Sequence, residues 1–532
     1  MRTLLITLTL VLSTLRASAQ QDFMNVFVST MSFQGSINEL ASGNLLVGMA
    51  VYPGATLLGP SGNVIHSGCY AGSTYSVGNM ASLRRYASNE FVFATRYRTD
   101  SCDSNAGMTV WHTYPALGRM DTLGNVLDLR YYDLNGPQCS YFGGDVCVTE
   151  DSSIVVWGPN ADFYAMRTDP SGAPLWARSF GAHGGFQFIK ELPGGDLLAG
   201  INMDTAGAVV ARMDANGNFL WCKSYMRPKG MVHDAIIESD SSFVITGFTD
   251  STNLFAFIPL PADFQPKLFM MKLNGAGDVQ WCKGYDSDPY HWYTSQWSRI
   301  ERTLDGQYAV LATLGEQGYN FFYRPFLMKT DLNGDTLWTR SHGKTDFIYY
   351  TRDFLACSDG GFMFSGGIWG NLPDNNSGLP YIYKTDSLGN FSCSQRVHTV
   401  QVSDLFPSDS SFTLTSIDGA TMYPAFVNDT LFDPIVVYDG CTFSTGFDPT
   451  RSRNLKVRPN PTAGRVTVEF ADPLMAESYY SVYDAMGKLL YQRPLPTGAT
   501  TEQIDLSRFG KGTYVIKFTD PEGVRHERVV LE

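Results

Sequence analysis

The sequence is poor in charged residues and has no long run of one charge sign. Only 17% of its 532 residues are charged, against 44% that are hydrophobic, which excludes a disordered chain and is enough for a large packed core. Acidic residues outnumber basic ones by 52 to 39, so the net charge is −13 and no nucleic-acid partner is expected. No run of about 18 apolar residues occurs, so no transmembrane segment is expected in the mature chain.

The local signatures of several enzyme classes are also absent. There is no G-x-S-x-G nucleophile elbow, no H-E-x-x-H zinc motif, no phosphate-binding loop and no dinucleotide fingerprint. A glycosidase or lyase needs only two carboxylates, or a Tyr and a His, that the fold brings together, and no local spacing reveals such a pair. The sequence therefore predicts no catalytic residue and favours a protein that is not an enzyme, while leaving that question open.

The nine cysteines show no C-x-x-C spacing, which argues against a zinc site or a thioredoxin-like site. Their odd number leaves at least one unpaired, and the candidate disulfides are Cys139 with Cys147 and Cys393 with Cys441. The Asp-rich turn at 331–335 is similar to part of a calcium loop but lacks its acidic twelfth position. We therefore predict no metal and no other cofactor, with calcium as the alternative.

The N-terminus has the pattern of a secretory signal peptide. Arg2 precedes an apolar stretch from Leu4 to Leu15, and Ala17 and Ala19 form an A-x-A cleavage site. The apolar stretch is too short to span a bilayer. Residues 1–19 are therefore predicted to direct export and to be removed after Ala19.

A turn of the form Asp-x-x-Gly recurs along the chain, and in its clearest copies a Trp follows the Gly by four residues. The seven recurring glycines are Gly62, Gly124, Gly172, Gly217, Gly277, Gly334 and Gly389. A second pattern, a polar turn that runs into a short apolar strand, precedes each copy. Each unit thus supplies three or four strands, which predicts an all-β fold with a seven-bladed β-propeller over residues 20–447, six or eight blades being the alternatives.

The residue types within this repeat indicate mainly structural roles. The Asp side chain caps the turn, and the Gly adopts a left-handed conformation that other residues avoid. The repeated tryptophans, Trp176, Trp221, Trp281 and Trp338, are expected to fill the space between blades.

Histidines and aromatic residues recur after the Trp strand, shortly before the next blade. These candidates are His183, His233, Asp234, His291, Trp292 and His342. If the connecting loops share one face of the propeller, the side chains converge there and suit a sugar ring, which has apolar faces and hydroxyl edges. The alternative is that repeated positions carry similar residues for packing alone.

The residue pattern of the sequence changes near Leu455, after a Pro- and Arg-containing linker at 448–454. Alternating apolar positions, such as Val466, Val468 and Phe470, predict half-buried strands. Residues 455–532 are therefore predicted to form a small immunoglobulin-like β-sandwich.

Specific residues of this region follow a known pattern. They are Pro459, Asn460 and Pro461 with Gly464, the hairpin from Tyr483 to Lys488 that contains Gly487, and Gly512, Tyr514 and Lys517 ahead of the last strand. In these elements the region resembles the type A C-terminal sorting domain of the type IX (Por) secretion system. The repeat region has a looser likeness to propeller repeats of such secreted cargo.

The resemblance implies a route and a partner. The cargo crosses the inner membrane by its signal peptide, passes through the periplasm, and is recognised by outer-membrane machinery of the type IX system. It is then secreted or held at the outer cell surface. For the propeller we expect a binding or adhesion role with a glycan or protein ligand. A secreted polysaccharide- or peptide-degrading enzyme and a structural surface component are the alternatives.

Overall fold

A computed structural model gives the fold, and all regular secondary structure in the residues it describes is β-strand. Those residues are 22–28, 35–48, 54–71, 77–102, 110–134, 144–158, 163–180, 184–203, 206–226, 230–239, 241–250, 266–287, 291–292, 297–315, 323–343, 347–370, 379–391, 395–425, 428–431, 436–439, 456–470, 478–484, 488–496, 498–520 and 523–532. The signal peptide and the linker at 448–454 lie outside them, so both stay predictions. The described strands form two compact units, one ending at Asp439 and one beginning at Lys456.

Seven antiparallel sheets follow one another along the first unit, and each is one blade of a propeller. The N-terminal strand, β1 (Phe23–Val28), belongs to the last blade. Blade 1 contains β2 (Ile37–Glu39), β3 (Leu45–Gly48), β4 (Gly54–Leu58) and β5 (Val64–Ala71); blade 2 contains β6 (Val77–Ala87), β7 (Glu90–Cys102), β8 (Val110–Asp121) and β9 (Val126–Asp133); blade 3 contains β10 (Asp145–Val148), β11 (Ile154–Gly158), β12 (Phe163–Thr168) and β13 (Pro174–Phe180).

The other blades repeat this arrangement. Blade 4 contains β14 (Gly184–Glu191), β15 (Leu197–Met203), β16 (Gly207–Met213) and β17 (Phe219–Tyr225); blade 5 contains β18 (Met231–Ile237), β19 (Phe243–Phe248), β20 (Leu268–Leu273) and β21 (Val279–Asp286). Blade 6 contains β22 (His291–Trp292), β23 (Arg299–Arg302), β24 (Tyr308–Gly315), β25 (Tyr323–Thr330) and β26 (Thr336–His342); blade 7 contains β27 (Phe347–Ala356), β28 (Phe362–Gly370) and β29 (Leu379–Thr385), with β1 as its fourth strand. The predicted seven-bladed propeller is confirmed.

The blades close into a ring. The inner strands β2, β6, β10, β14, β18, β23 and β27 each contact the inner strands of both neighbouring blades. Blade 7 is completed by β1, which pairs with β29 so that Val26 lies opposite Tyr381. The hydrophobic core lies in the seams between neighbouring blades, and among the described residues six of the seven seams have an apolar cluster of their own.

The recurring turns have the predicted structure. In blade 6, Asp331 Oδ1 accepts hydrogen bonds from the N–H groups of Asn333 at 2.8 Å and Asp335 at 2.9 Å. Gly334 in this turn has a φ of +82°, a left-handed value that favours glycine. The same pair of hydrogen bonds is made at Asp121, Asp169, Asp214, Asn274 and Asp386.

The tryptophans after these turns pack between blades, as expected. Trp176 Nε1 donates a hydrogen bond to the Ala215 carbonyl at 2.9 Å, and Trp221 Nε1 donates to the Gly275 carbonyl at 3.1 Å. Both carbonyls belong to the turn of the next blade. Trp338 packs edge-on against Phe362 of the next blade, with ring centroids 5.7 Å apart. Each turn is therefore anchored by the blade that precedes it.

After the last blade the chain runs back around the outside of the ring and adds a fifth strand to every blade in reverse order. These strands, which we call the outer belt, are β30 (Gln395–Arg396), β31 (Gln401–Asp404), β32 (Ser410–Ser411), β33 (Ile417–Asp418), β34 (Thr421–Pro424), β35 (Asn428–Leu431) and β36 (Val436–Asp439). They pair with blades 6, 5, 4, 3, 2, 1 and 7 in that order. In blade 7, β36 pairs with β1.

The belt has a regular register. The N–H groups of Leu405, Phe412 and Gly419 each donate to a fourth-strand carbonyl, those of Cys282 at 2.9 Å, Cys222 at 2.9 Å and Ala177 at 3.0 Å. In these three blades the acceptor directly follows the repeated Trp, so one blade corresponds to seven belt residues. Seven extended residues reach about 23–25 Å. A stretch of this length links the outer edges of neighbouring blades, because Leu405, Phe412 and Gly419 pair with three successive blades.

The second unit is the predicted β-sandwich. One sheet contains β37 (Lys456–Arg458), β38 (Arg465–Glu469) and β41 (Thr501–Asp505). The other contains β39 (Ser478–Asp484), β40 (Leu489–Leu495), β42 (Gly512–Asp520) and β43 (Gly523–Leu531). A single apolar cluster includes residues of both sheets, among them Val466, Tyr480 and Ile516.

The predicted disulfides have different outcomes. Cys147 is a free thiol, so the candidate bridge between Cys139 and Cys147 is wrong. Cys147 lies on the inner strand β10, where burial raises the pKa of its thiol. Cys393 and Cys441 lie outside the described residues, and their pairing stays a prediction.

Leu405→Pro tests the contribution of the outer belt. The change removes the N–H that donates to Cys282, so we expect the free energy of unfolding to fall by about 1–3 kcal/mol. Hydrogen exchange at Gln401–Asp404 is expected to accelerate. Urea denaturation and exchange measured by mass spectrometry provide both readouts.

Phe406→Pro is the matched control, because the Phe406 side chain is 92% exposed. The Phe406 N–H has no hydrogen-bond partner among the described residues. We expect its stability to stay within about 0.5 kcal/mol of wild type. Equal stability of the two variants would show that belt pairing adds nothing.

Candidate functional site

Charged side chains from six inner strands converge at the centre of the ring. This central charged cluster contains four cations, Arg84, Lys190, Arg299 and Arg352, and four carboxylates, Asp145, Asp234, Glu301 and Asp353. They lie on β6, β10, β14, β18, β23 and β27, one strand from each of blades 2 to 7. Arg84 interacts electrostatically with Asp145, Asp353, Asp234 and Glu301, which come from four other blades.

Asp234 connects three blades. Its Oδ1 lies 2.7 Å from Lys190 Nζ of blade 4, and its Oδ2 accepts a hydrogen bond from the Ile300 N–H of blade 6 at 3.2 Å. Asp353 makes a similar contact across the closing seam, where Asp353 Oδ2 accepts the Ile37 N–H at 2.8 Å. These carboxylates therefore satisfy backbone groups of neighbouring blades as well as carrying charge.

The cluster shifts the pKa values of its members. Burial alone would lower the pKa of Arg84, but the surrounding carboxylates outweigh it and hold that pKa above its ordinary value. Burial would raise the pKa of Asp234, but Lys190 and Arg299 outweigh it and lower that pKa. Burial raises the pKa of Asp353, and the nearby cations offset this only in part.

Glu301 differs from the other carboxylates of the cluster. Burial, reinforced by the charges of Asp234 and Asp353, raises the pKa of Glu301 to about 7, although Lys190 and Arg84 act in the opposite direction. A carboxyl group that titrates near neutrality beside ionised carboxylates is able to hold or release a proton at physiological pH. Such perturbed groups are more frequent at functional sites than elsewhere.

The residues that the sequence singles out for ligand binding lie in several places. His183, and the side chain of His291, are outside what the structure describes. His233 and Asp234 lie within β18, Trp292 within β22 and His342 at the end of β26, so these residues are in strands rather than loops. Of the candidates, Asp234 belongs to the central charged cluster. Their role in ligand binding stays a prediction.

Two of these residues share one aromatic cluster between blades 5 and 6. The ring of His233 lies 5.4 Å from that of Phe248, which is 6.4 Å from Trp292. His233 Nδ1 also accepts a hydrogen bond from the Ser298 N–H at 3.1 Å. Burial and the charge of Arg299 lower the pKa of His233 to about 3, so the ring is neutral.

His342 belongs to a separate cluster between blades 6 and 7. Its ring lies 5.6 Å from Phe364 and 5.4 Å from Tyr383. Neither ring nitrogen has a hydrogen-bond partner among the described residues. Burial, then the charge of Arg340, lowers the pKa of His342 to about 3.

Most of the central charged cluster is not singled out by the sequence. Arg84 and Glu301, for example, stand in short strands with no local motif around them. The available signal is a charged residue that interrupts an apolar strand just before the first turn of a blade, as Lys190 does after Phe188 and Ile189 in β14. Among the described residues, no group of three or more His, Cys, Asp or Glu side chains is arranged to hold a metal ion.

The residues of the predicted sorting signal are organised around the last strand. Asn460 Nδ2 donates to the Arg528 carbonyl at 2.7 Å, and Asn460 Oδ1 accepts the Val530 N–H at 2.9 Å. Pro459 and Pro461 flank this amide, each after a cis peptide bond. The Asn side chain therefore pairs with the edge of β43 as a strand backbone would.

The other residues of the signal support the same sandwich. An added Cβ at Gly464 would lie 3.0 Å from the Ser507 side chain, and Leu506 N–H donates to the Gly464 carbonyl at 2.6 Å. Tyr514 is buried against Phe509, and Gly512 begins β42. Lys517 lies on β42 opposite His526 of β43. Gly487 lies outside the described residues.

Comparison with known families identifies this second unit. Residues 456–532 match the family model of the secretion system C-terminal sorting domain. The protein thus carries a type IX sorting domain that follows a β-propeller along the chain. It is exported by the type IX system to the cell surface or the extracellular space, and the domain implies interaction with that machinery.

Other comparisons give little further information. No curated protein has a significant sequence match to the chain. A protein of unknown function from Bacteroides caccae aligns with 9% identity and a TM-score of 0.33, over 60% of this chain and 93% of its own. Drosophila Plexin A in complex with Semaphorin 1b aligns with 10% identity and a TM-score of 0.33, over 69% of this chain and 88% of its own. Within its described part, the chain has no helix with the length and apolar character needed to cross a membrane.

His342→Phe and His233→Phe form a matched pair of substitutions. At pH 8, His342→Phe is expected to leave the free energy of unfolding unchanged or raise it by up to about 1 kcal/mol, since the histidine ring makes no hydrogen bond there. His233→Phe removes the acceptor of the Ser298 N–H and is expected to lower stability by about 1–2 kcal/mol. Urea denaturation measures both values.

Acidification is expected to lower the stability of wild type more than that of His342→Phe. The folded-state pKa of His342 lies below its unfolded value, so the unfolded state binds the extra proton and stability falls as the pH drops below about 6.5. We expect this histidine to contribute about 1.4 kcal/mol of loss per pH unit between pH 6 and pH 4. Parallel pH curves for wild type and His342→Phe would contradict a buried neutral ring.

Deletion of Lys517–Glu532 tests the sorting domain. The deletion removes β43, the partner of Asn460, and half of β42, so the sandwich is incomplete. We expect the truncated protein to accumulate in the periplasm, as measured by immunoblotting of cell fractions and culture medium. Lys511→Gln, an exposed change just before β42, is expected to be exported normally. Normal export of the truncation would contradict this role.

Proposed function

We propose that this protein is a binding or adhesion protein of a Gram-negative bacterium and that its propeller holds an extracellular glycan at the central charged cluster. The observation that supports this is the convergence of four cations and four carboxylates from six blades. Charged side chains are almost never buried unless they are paired or functional, and Asp234 of this cluster is buried. A ring of inner strands is also a usual place for a propeller to present a ligand site.

Glycans suit this arrangement for chemical reasons. Sugar hydroxyl groups both donate and accept hydrogen bonds, and a set of alternating carboxylates and cations supplies partners of both kinds. The cluster carries no net formal charge, since its four positive and four negative groups balance when all are ionised. Neutral and charged sugars are therefore both compatible with the site as a whole.

A second candidate function, cleavage of a polysaccharide, has one observation in its favour. Glu301 has a pKa raised to about 7 by burial, while Asp234 nearby has a lowered pKa because of Lys190 and Arg299. A protonated carboxyl group beside an ionised one is the pairing that glycoside hydrolysis uses.

The test uses the full mature chain, the variant Glu301→Gln and a panel of neutral and acidic polysaccharides. We expect wild type to bind at least one polysaccharide and Glu301→Gln to change its Kd by at least about fivefold at pH 8.5, which corresponds to about 1 kcal/mol. At pH 5.5 the difference is expected to shrink, because Glu301 is then protonated and neutral like Gln. Affinity electrophoresis or biolayer interferometry gives these values.

Glu469→Gln on β38 is the control, because this exposed carboxylate lies in the sorting domain. Binding to no polysaccharide, or binding that Glu301→Gln leaves unchanged, would rule out the proposed function at this site. Release of reducing ends from a bound polysaccharide that stops in Glu301→Gln would favour the enzymatic candidate.

A further inference from the structure

Two exposed arginines of the sorting domain lie over the same tyrosine. The guanidinium carbon of Arg508 lies 4.3 Å from the centroid of the Tyr491 ring, and that of Arg493 lies 5.8 Å from it. Arg508 also lies 4.9 Å from the centroid of the Phe509 ring, which stacks on Tyr491 with the two centroids 5.9 Å apart. We call these four residues the arginine–aromatic patch. Both arginines are exposed, and both rings are half-buried.

The patch is assembled from two separate parts of the domain. Arg493 lies on β40, and Arg508 lies in the turn between β41 and β42. The rings of Tyr491 and Phe509 pack against the apolar core of the sandwich, so the core sets their orientation. A cation–π contact attracts a guanidinium but leaves its positive charge in place. The patch therefore holds two cations on an ordered aromatic base at the domain surface.

Neither arginine is neutralised within the domain. Among the described residues, the side chains of Arg493 and Arg508 form no ion pair and no hydrogen bond. Asp505 is close to Arg508 along the chain but binds elsewhere. Its Oδ2 lies 3.0 Å from Arg465 Nε, and its Oδ1 accepts the Ser507 N–H at 2.9 Å. The guanidinium N–H groups of the patch are thus available to an external acceptor.

The patch has the composition of a protein-binding surface. Arginine and aromatic residues are enriched at protein interfaces and among the residues that carry most of the binding energy. The patch also includes part of β40, which is an edge strand and pairs only with β39 among the described strands.

The charge distribution of the chain makes this patch distinctive. Residues 456–532 include ten basic and ten acidic residues, so the remainder of the chain supplies the whole net charge of −13. A chain with this balance does not attract an acidic partner through its overall charge. Attraction of such a partner needs a local cationic surface, which the two unpaired arginines provide.

We infer that the arginine–aromatic patch is the surface through which the sorting domain binds an acidic face of the outer-membrane type IX machinery. The family match implies an interaction with that machinery, and the patch assigns it to particular residues. Guanidinium groups form paired hydrogen bonds with carboxylates. Because the aromatic rings already restrain both arginines, less side-chain entropy is lost on binding. A role for this surface does not depend on the proposed glycan site.

The first experiment measures export of the full chain in the producing bacterium. The variant Arg493→Glu/Arg508→Glu reverses both charges, and Arg493→Lys/Arg508→Lys keeps them. Lys511→Glu is the matched control, because it reverses an exposed charge three residues from Arg508 that lies over neither ring. Immunoblotting of the periplasm, cell surface and medium gives the exported fraction. Thermal unfolding of the purified variants shows whether each is folded.

We expect charge reversal to lower the exported fraction at least about fivefold, with folded protein accumulating in the periplasm. The lysine variant is expected to keep at least about half of wild-type export, and Lys511→Glu to be exported normally. Normal export of the folded charge-reversal variant overturns the site. An equal loss of export in Lys511→Glu also overturns it, because the effect then belongs to charge in general.

The second experiment identifies the partner with both arginines in place, so it decides the matter even if charge reversal prevents folding. Photoreactive p-benzoylphenylalanine replaces Gln492, an exposed residue between Tyr491 and Arg493 on β40. In the control it replaces Glu469, an exposed residue on β38. After irradiation of the cells, we expect the probe at Gln492, but not the probe at Glu469, to crosslink to an outer-membrane protein of the type IX machinery. Mass spectrometry identifies the crosslinked protein.

Flotation of the purified full chain with phosphatidylglycerol vesicles tests anionic lipid as a different ligand. We expect no binding to these vesicles. Absence of the crosslink to the machinery overturns the proposed partner. Vesicle binding by wild type that Arg493→Glu/Arg508→Glu abolishes would assign the patch to lipid instead.

Discussion

Hydrogen bonding at the outer edge of each blade is the constraint on which the propeller depends. The fourth strand of a blade has one row of backbone groups with no partner in its own sheet, and exposed rows of this kind pair readily with other chains. The outer belt covers all of them with one continuous segment. Its own strands are short, from two residues in β30 to four in β31, and Pro407 and Pro424 interrupt or end them. The remaining outer edge is therefore a poor template for further pairing.

The centre of the ring follows a different principle. There the inner strands approach one another without pairing as sheets, and side chains make the connections between blades. Asp234 and Asp353 do so by accepting backbone N–H groups of the next blade, and Ser36 Oγ accepts the Leu83 N–H in the same way at 3.0 Å. Because a carboxylate in such a position carries charge into the centre, cations such as Lys190 are needed nearby. The two carboxylates thus join blades and also reinforce the effect of burial, which raises the pKa of Glu301.

Sequence and structure agree where the determining interactions are local. The Asp331 turn can be predicted from the sequence because the Asp side chain, the capped N–H groups and Gly334 lie within five residues. The following Trp338 indicates where the blade packs against its neighbour. The outer belt cannot be predicted from the sequence, because its partners lie between 53 and 414 residues away and its strands are mostly exposed. Its seven-residue spacing carries no shared residue type: Leu405, Phe412 and Gly419 have only their backbone role in common.

In the candidate site, too, residues defined by local sequence can be predicted, whereas contacts that depend on the closed ring cannot. His342 is singled out by its position after a Trp strand, but that position is a buried strand end, where packing accounts for the residue. The convergence of Arg84 with Glu301 depends on closure of the ring, which no spacing along the chain encodes. The sorting domain is the opposite case, because Asn460 and its flanking prolines form a compact motif that pairs with β43, and this motif lies within the region that the family model matches.

The position of β36 beside β1 determines how the propeller bears tension. The pair is antiparallel, with Asn25 opposite Asp439, so the chain enters β1 and leaves β36 at the same end. A pull on the chain beyond Asp439 therefore opens the pair one hydrogen bond after another instead of loading them all together. Once β36 is free, the same pull reaches the belt strands of blades 1, 2 and 3 in turn. The belt therefore detaches before the blades unfold. Its detachment releases about 45 residues, or about 150 Å of extended chain, before the force acts on the blades themselves.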